Sequence, residues 1–169
     1  MGFAESSVRL DFPDEKYFRF EDLDTYRSLS GLSFKEMDAC WYDEENKMFY
    51  LIELKDFTEA NLFEEQSRYG RTFNLLKKSI DSLVMMLSMF LATSKGNELK
   101  SEISFDIPKE TKLYFISILH IKETQRDYLN FIRDKYRNEF IAYAKLFSLH
   151  HTIVSRKKAI EKFTWVKEP

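Results

Sequence analysis

The stretch that most constrains this chain runs from Lys35 to Asp56 and reads KEMDACWYDEENKMFYLIELKD. It predicts two strands, Glu36 to Asp43 and Met48 to Lys55, joined by the polar, turn-forming Glu44, Glu45 and Asn46. Side chains alternate along a strand, so Glu53 and Lys55 share one face of the second strand, and Glu36 and Asp38 share one face of the first. A tight hairpin centred between Glu45 and Asn46 sets Asp38 opposite Glu53 and Glu36 opposite Lys55. Two carboxylates facing each other across a ladder repel, so a cation is expected between them, either Lys55 or a divalent metal. Paired carboxylates with room for water suit Mg²⁺, which takes oxygen ligands and keeps several waters. A lysine beside that metal would orient an attacking water or steady a developing negative charge.

Asp38, a hairpin and then Glu53-Leu54-Lys55 resemble the core of the PD-(D/E)xK nuclease superfamily, the restriction-endonuclease-like fold. That family sets an Asp on one strand and (D/E)xK on the next. The resemblance implies that Asp38 and Glu53 bind Mg²⁺ or Mn²⁺, that the Leu54 carbonyl adds a ligand, and that Lys55 serves the nucleophilic water. It spans roughly residues 36 to 121, and Met37 stands where the family's name places Pro. Members often carry a further acidic ligand on a preceding helix. Glu21, Asp22 and Asp24 are the local candidates here, with Glu36 beside them, and solvated surface is the competing reading for each. The exonuclease branch has a Gln followed four residues later by Tyr on the helix after the ExK strand. Gln66 and Tyr69 are three apart, which still shares a helix face, so Gln66 joins the candidate catalytic set. A polar first turn with a half-buried Tyr is the alternative.

Beyond Lys55 the chain predicts a long helix from about Glu59 to Thr93, with Phe73, Leu76, Ile80, Leu83, Leu87 and Phe90 as one apolar stripe widened by Val84, Met86 and Leu91. Lys77 and Lys78 either meet phosphates or face water. Lys95-Gly96-Asn97 reads as a helix stop, and residues 97–111 as a polar connection with a short edge strand at Ile103, Phe105 and Ile107. Lys112 to Ile121 is nearly continuous in apolar residues, as a buried central strand is. Glu123 to Leu149 predicts a second long helix, faced by Leu129, Ile132, Tyr136, Phe140, Tyr143 and Phe147. At the two ends, Val8, Leu10 and Phe12 alternate as a strand stopped by Pro13. Thr152 to Val154 is β-like, and a basic segment (Arg156, Lys157, Lys158, Lys162) follows with Phe163 and Trp165. Such a tail either meets nucleic acid or docks its aromatics on the core.

The fold class expected is α/β, of the α+β kind: a small mixed central β-sheet flanked by long amphipathic helices, in one domain over residues 1–169. Gly and Pro number only four and three, against a many-stranded sandwich of tight turns. The lone Cys40 excludes an internal disulfide or a cysteine zinc site and reads as a small buried hydrophobe, so a reducing, cytoplasmic setting is expected. His150 and His151 are neighbours that cannot converge on one metal and read as surface or interface. The longest apolar run, Leu83 to Ala92, is too short to span a bilayer, so no membrane partner is expected. Net charge is −2, but residues 1–60 carry 15 acidic and 7 basic side chains, and the remainder 13 and 19. An acidic metal-binding half and a basic other half suit a nuclease, with chance asymmetry as the alternative. The leading expectation is a Mg²⁺-dependent nuclease acting on DNA or RNA, working as a homodimer or as a subunit of a larger complex. The alternative is a catalytically silent nuclease-like scaffold that binds protein or nucleic acid.

Overall fold

The computed structural model describes residues 2–169. Its strands, in order, are β1 (Gly2–Glu5), β2 (Val8–Asp11), β3 (Tyr17–Phe18), β4 (Ala39–Asp43), β5 (Met48–Asp56), β6 (Lys112–His120), β7 (His150–Ser155) and β8 (Val166–Lys167). The helices are α1 (Asp24–Ser30), α2 (Glu65–Phe90), α3 (Ser94–Ser101), α4 (Arg126–Leu146) and α5 (Arg156–Lys162), with 3-10 turns at Phe20–Asp22 and Glu123–Gln125. The class is mixed α/β, as expected.

Five strands form the main sheet in the order β3-β4-β5-β6-β7. The hairpin β4–β5 is antiparallel, while β5–β6 and β6–β7 are parallel. Parallel neighbours require crossovers, and α2 with α3 and then α4 supply them. The hairpin register is the one the sequence dictates: Ala39 faces Ile52, Cys40 faces Leu51 and Asp43 faces Met48. Lys47 closes its turn with φ of 50°.

β6 lies in the interior of the sheet, and both its faces are covered. Leu113, Phe115 and Leu119 point into the core shared with α2 and α4. Ile116 and Ile118 point into a second core with Trp41, Ile52 and Leu54. That second core is closed by Val8, Leu10 and Val166 of the small sheet β1-β2-β8, and by Ala159 of α5 with Phe163 and Trp165. The tail aromatics therefore dock on the core, and the basic segment before them is a helix.

Both long helices keep their predicted apolar faces in part. α2 buries Thr72, Leu75, Ser79, Ser82, Leu83, Met85, Met86 and Met89, so the predicted Leu83 and Met86 face inward, and Leu76, Ile80, Leu87 and Phe90 pack half-buried against the same core. Phe73, Val84 and Leu91 are exposed. The buried face is therefore wider than the predicted stripe and takes in the neighbouring polar row of Thr72, Ser79 and Ser82. It does so because its hydroxyls have buried partners: Ser82 Oγ accepts the Met37 N–H at 2.9 Å, and Tyr136 donates to Ser79 Oγ at 2.8 Å. In α4 the expected face holds through Phe140. Ala144 then replaces Tyr143 and Phe147, since a straight helix drifts off a strict heptad.

The long helix also starts later than Glu59 and ends before Thr93. Thr93 caps a new helix, α3, by accepting the Gly96 N–H, so Lys95-Gly96-Asn97 starts an element where a stop was predicted. No strand forms at residues 103–107. Cys40 is fully buried, and burial pushes its thiol well above the usual value. No helix among the described residues is long and apolar enough to cross a membrane.

Candidate functional site

β4 begins at Ala39 rather than at the predicted Glu36, so Asp38 lies just outside the ladder and β4 stops two residues short of covering Leu54 on the longer β5. The Leu54 amide thus lies beyond its antiparallel neighbour and needs other partners. Asp38 supplies one, its Oδ2 accepting the Leu54 N–H at 2.6 Å. Ser6 supplies the other, donating its hydroxyl to the Leu54 carbonyl at 3.3 Å. Ser6 and Ser7 form the tip of the β1–β2 hairpin, both with positive φ, as a two-residue primed turn requires.

Glu53 lies on the α2 face of β5 and is only 1% exposed. Its register partner on β6 is Ser117, the smallest side chain of the inward row Leu113, Phe115, Ser117, Leu119. Into this space comes Lys78 from the middle of α2. Its ammonium is 3.0 Å from Asp38 Oδ1, 2.9 Å from Glu53 Oε2 and 2.8 Å from Glu53 Oε1. Lys55 reaches the same oxygen, 2.8 Å from Glu53 Oε1 and 4.0 Å from Asp38 Oδ2. Glu53 Oε1 is buried, within ion-pair distance of two ammoniums yet without an aligned hydrogen-bond donor.

The charges act on one another strongly. Burial, then the neighbouring Asp38, raises the Glu53 carboxyl to about 7, although Lys78 and Lys55 oppose the shift. For Lys78, burial disfavours the charge, but Glu53 and Asp38 outweigh it and hold the ammonium above its ordinary value. Glu5, on the hairpin strand β1, is close enough to feel the cluster. Burial first, and Asp38 next, raise its carboxyl. Arg19 anchors it at 3.2 Å and donates from Nε to the Asp38 carbonyl at 3.1 Å.

Asp38, Glu53, Leu54 and Lys55 therefore converge as the sequence predicts. Gln66 does not. It is exposed in the first turn of α2, twelve residues before Lys78 and so about 18 Å along the helix from it. Glu36 lies outside β4, so it has no ladder pairing with Lys55, and it is hydrogen-bonded by the Tyr26 hydroxyl. Of the other acidic candidates, Glu21 pairs with Arg19 at 2.5 Å and Asp24 with Arg27 at 2.7 Å, while Asp22 is exposed. The additional carboxylate nearest the cluster is Glu5, which no local motif marks. Lys78 had a signal: it shares a helix row with the buried Leu75 and Ser82, three and four residues away.

Among the described residues, no three His, Cys, Asp or Glu side chains gather into a metal-ligand set. Mg²⁺ commonly takes one or two carboxylates and completes its shell with waters and substrate phosphate. Asp38, Glu53 and the Leu54 carbonyl fit that pattern. Glu53 Oε1 offers a buried oxygen without a directed donor, and the locus the two carboxylates share is already one that a cation, Lys78 Nζ, occupies.

Comparison with protein-family models, with curated proteins and with solved structures finds no match to this chain.

Proposed function

We propose that this chain hydrolyses phosphodiester bonds in DNA or RNA with the help of Mg²⁺ or Mn²⁺, as the resemblance of Asp38 and Glu53-Leu54-Lys55 to PD-(D/E)xK nucleases implies. The observation that carries the reading is the convergence of buried Asp38 and Glu53 on one cation-holding point, with Lys55 at its open side. Asp38, Glu53 and the Leu54 carbonyl would hold the metal. Bound there, the metal supplies Lewis acidity toward a phosphoryl oxygen and lowers the pKa of a water. Lys55, 30% exposed at its side chain, is placed to orient the water and to neutralise charge growing on the phosphate. Asp38 is oriented by the Leu54 N–H, so its second oxygen is left for the cation. Lys78 keeps the two carboxylates together, and a metal held by the same oxygens would take over that neutralising role.

A second reading is favoured by Lys78 itself. A lysine that satisfies both carboxylates makes a metal unnecessary for folding, as expected of a silent nuclease-like scaffold. Calorimetric titration of Mn²⁺ into wild type and Glu53→Ala separates the two, followed by a cleavage assay with Lys55→Ala. Binding that is lost in Glu53→Ala, with cleavage lost in Lys55→Ala, supports the nuclease. Absence of Mn²⁺ binding to wild type, even with an oligonucleotide present, supports the scaffold.

A further inference from the structure

Lys55 is followed on β5 by Asp56, whose ladder partner is His120 at the end of β6, with His120 Nδ1 3.1 Å from Asp56 Oδ2. His120 lines a cleft of about 480 Å³ at the carboxyl ends of β6 and β7, between α4 and α5. A second cleft of about 610 Å³ continues from it along the outer edge strand β7, and Arg133, Lys158 and Glu161 line both. Arg156, on the wall of the first cleft, is linked to the candidate site through the β1–β2 turn. Arg156 donates to the Ser7 carbonyl at 3.1 Å, and the adjacent Ser6 holds the Leu54 carbonyl.

The walls of this track are basic. Arg133, Arg156, Lys157, Lys158 and Lys162 lie along it. Arg133 is fixed in place by donating from Nε to the Ile153 carbonyl at 2.7 Å, which also occupies an edge carbonyl of β7. Among the described residues, no carboxylate forms an ion pair with Lys157, Lys158 or Lys162, and Lys157 and Lys158 are exposed. Of the acids on the walls, Glu123 and Asp134 are taken up by Arg126 and Arg137 at 3.1 and 3.0 Å, leaving Asp127 and Glu161. Unneutralised lysines at such spacing along an open groove are suited to successive backbone phosphates. Its walls hold few aromatic faces on which bases could stack, so it tracks the backbone rather than reading sequence.

We propose that the groove between α4 and α5 is the track for a nucleic-acid phosphodiester backbone, leading from the Asp38–Glu53 centre across the end of β6 to the edge of β7. This rests on the nuclease reading and extends it to where the substrate strand lies. The test is fluorescence anisotropy with a short fluorescein-labelled single-stranded DNA in EDTA, so that cleavage plays no part. Wild type and the Lys157→Glu, Lys158→Glu double variant are compared over a salt series. The expected result is roughly tenfold or greater loss in the double variant, with the salt slope smaller by about 1.4 for two lost phosphate contacts. Equal binding by wild type and the double variant overturns the groove and leaves the nuclease reading standing. No binding by wild type also overturns the groove, and the Mn²⁺ titration with oligonucleotide decides the nuclease reading separately. Because Lys157 and Lys158 are exposed, an unchanged melting temperature accompanies the expected loss.

Discussion

Lys78 Nζ stands 2.9 Å from Glu53 Oε2 and 2.8 Å from Oε1, so a lysine from the middle of a helix neutralises a carboxylate that is only 1% exposed on a central strand. The same ammonium reaches Asp38 Oδ1 at 3.0 Å. The hairpin sets two negative charges side by side, and α2 brings the charge that makes this tolerable.

Removing that ammonium strands two buried carboxylates. Lys78→Met is expected to lose about 3 kcal/mol of stability, the usual cost of breaking a buried ion pair by deleting one partner. A metal that binds only the folded state raises its melting temperature. Mn²⁺ should therefore raise that of Lys78→Met more than that of wild type, because the variant has lost the competing cation. Thermal denaturation with and without Mn²⁺ reads both effects, and an unshifted midpoint without metal would show that the pair contributes nothing to folding.

Glu53 gives the molecule a pH dependence of unusual sign for a carboxylate. Its folded value of about 7 lies above the ordinary 4.5. Between those two pH values the folded state keeps a proton that the unfolded chain has released, so stability falls as pH rises through the window and levels off above it. The loss is on the order of 3 kcal/mol, at 1.36 kcal/mol per pH unit. In Glu53→Gln this component is absent, so the variant should gain stability relative to wild type as pH rises from about 4.5 to about 7. Urea denaturation of both proteins across the window measures the difference, and a gap that stays constant with pH would contradict it.

Gly96 and Gly70 make a pair of opposite predictions. A Cβ on Gly96 would lie 2.0 Å from the Ser88 carbonyl oxygen, where α3 packs on the end of α2. Gly96→Ala must push two backbones apart and should cost about 1–3 kcal/mol. Gly70 sits inside α2 with open space around it, and Gly70→Ala should gain up to about 1 kcal/mol from helix propensity. Melting temperatures that move the same way in both variants would refute the contrast.

Much of the fold was legible because local patterns carried it. Alternation and a central polar turn gave the β4–β5 register, in which Ala39 meets Ile52, and a continuous apolar run marked β6. In α2 the pattern held in the middle of the stripe, at Leu83 and Met86, and failed at Phe73, Val84 and Leu91, which are exposed. Hydrophobicity alone cannot show that Ser79 and Ser82 are buried as well, because their partners, Tyr136 and the Met37 amide, come from other segments. Gln66 was chosen by its neighbourhood to a motif, yet it occupies the wrong end of a 26-residue helix.

The sequence by itself determined that Asp38, Glu53 and Lys55 meet, because strand pairing across a short turn is a local geometric consequence of residue spacing. Only the tertiary structure decided what else meets them. Lys78, Glu5 and Ser6 arrive from α2 and from the β1–β2 hairpin, distant in sequence. A buried lysine or a half-buried glutamate is stable only beside charges supplied by other elements, and that compensation exists only once the sheet, the helix and the hairpin have been brought together.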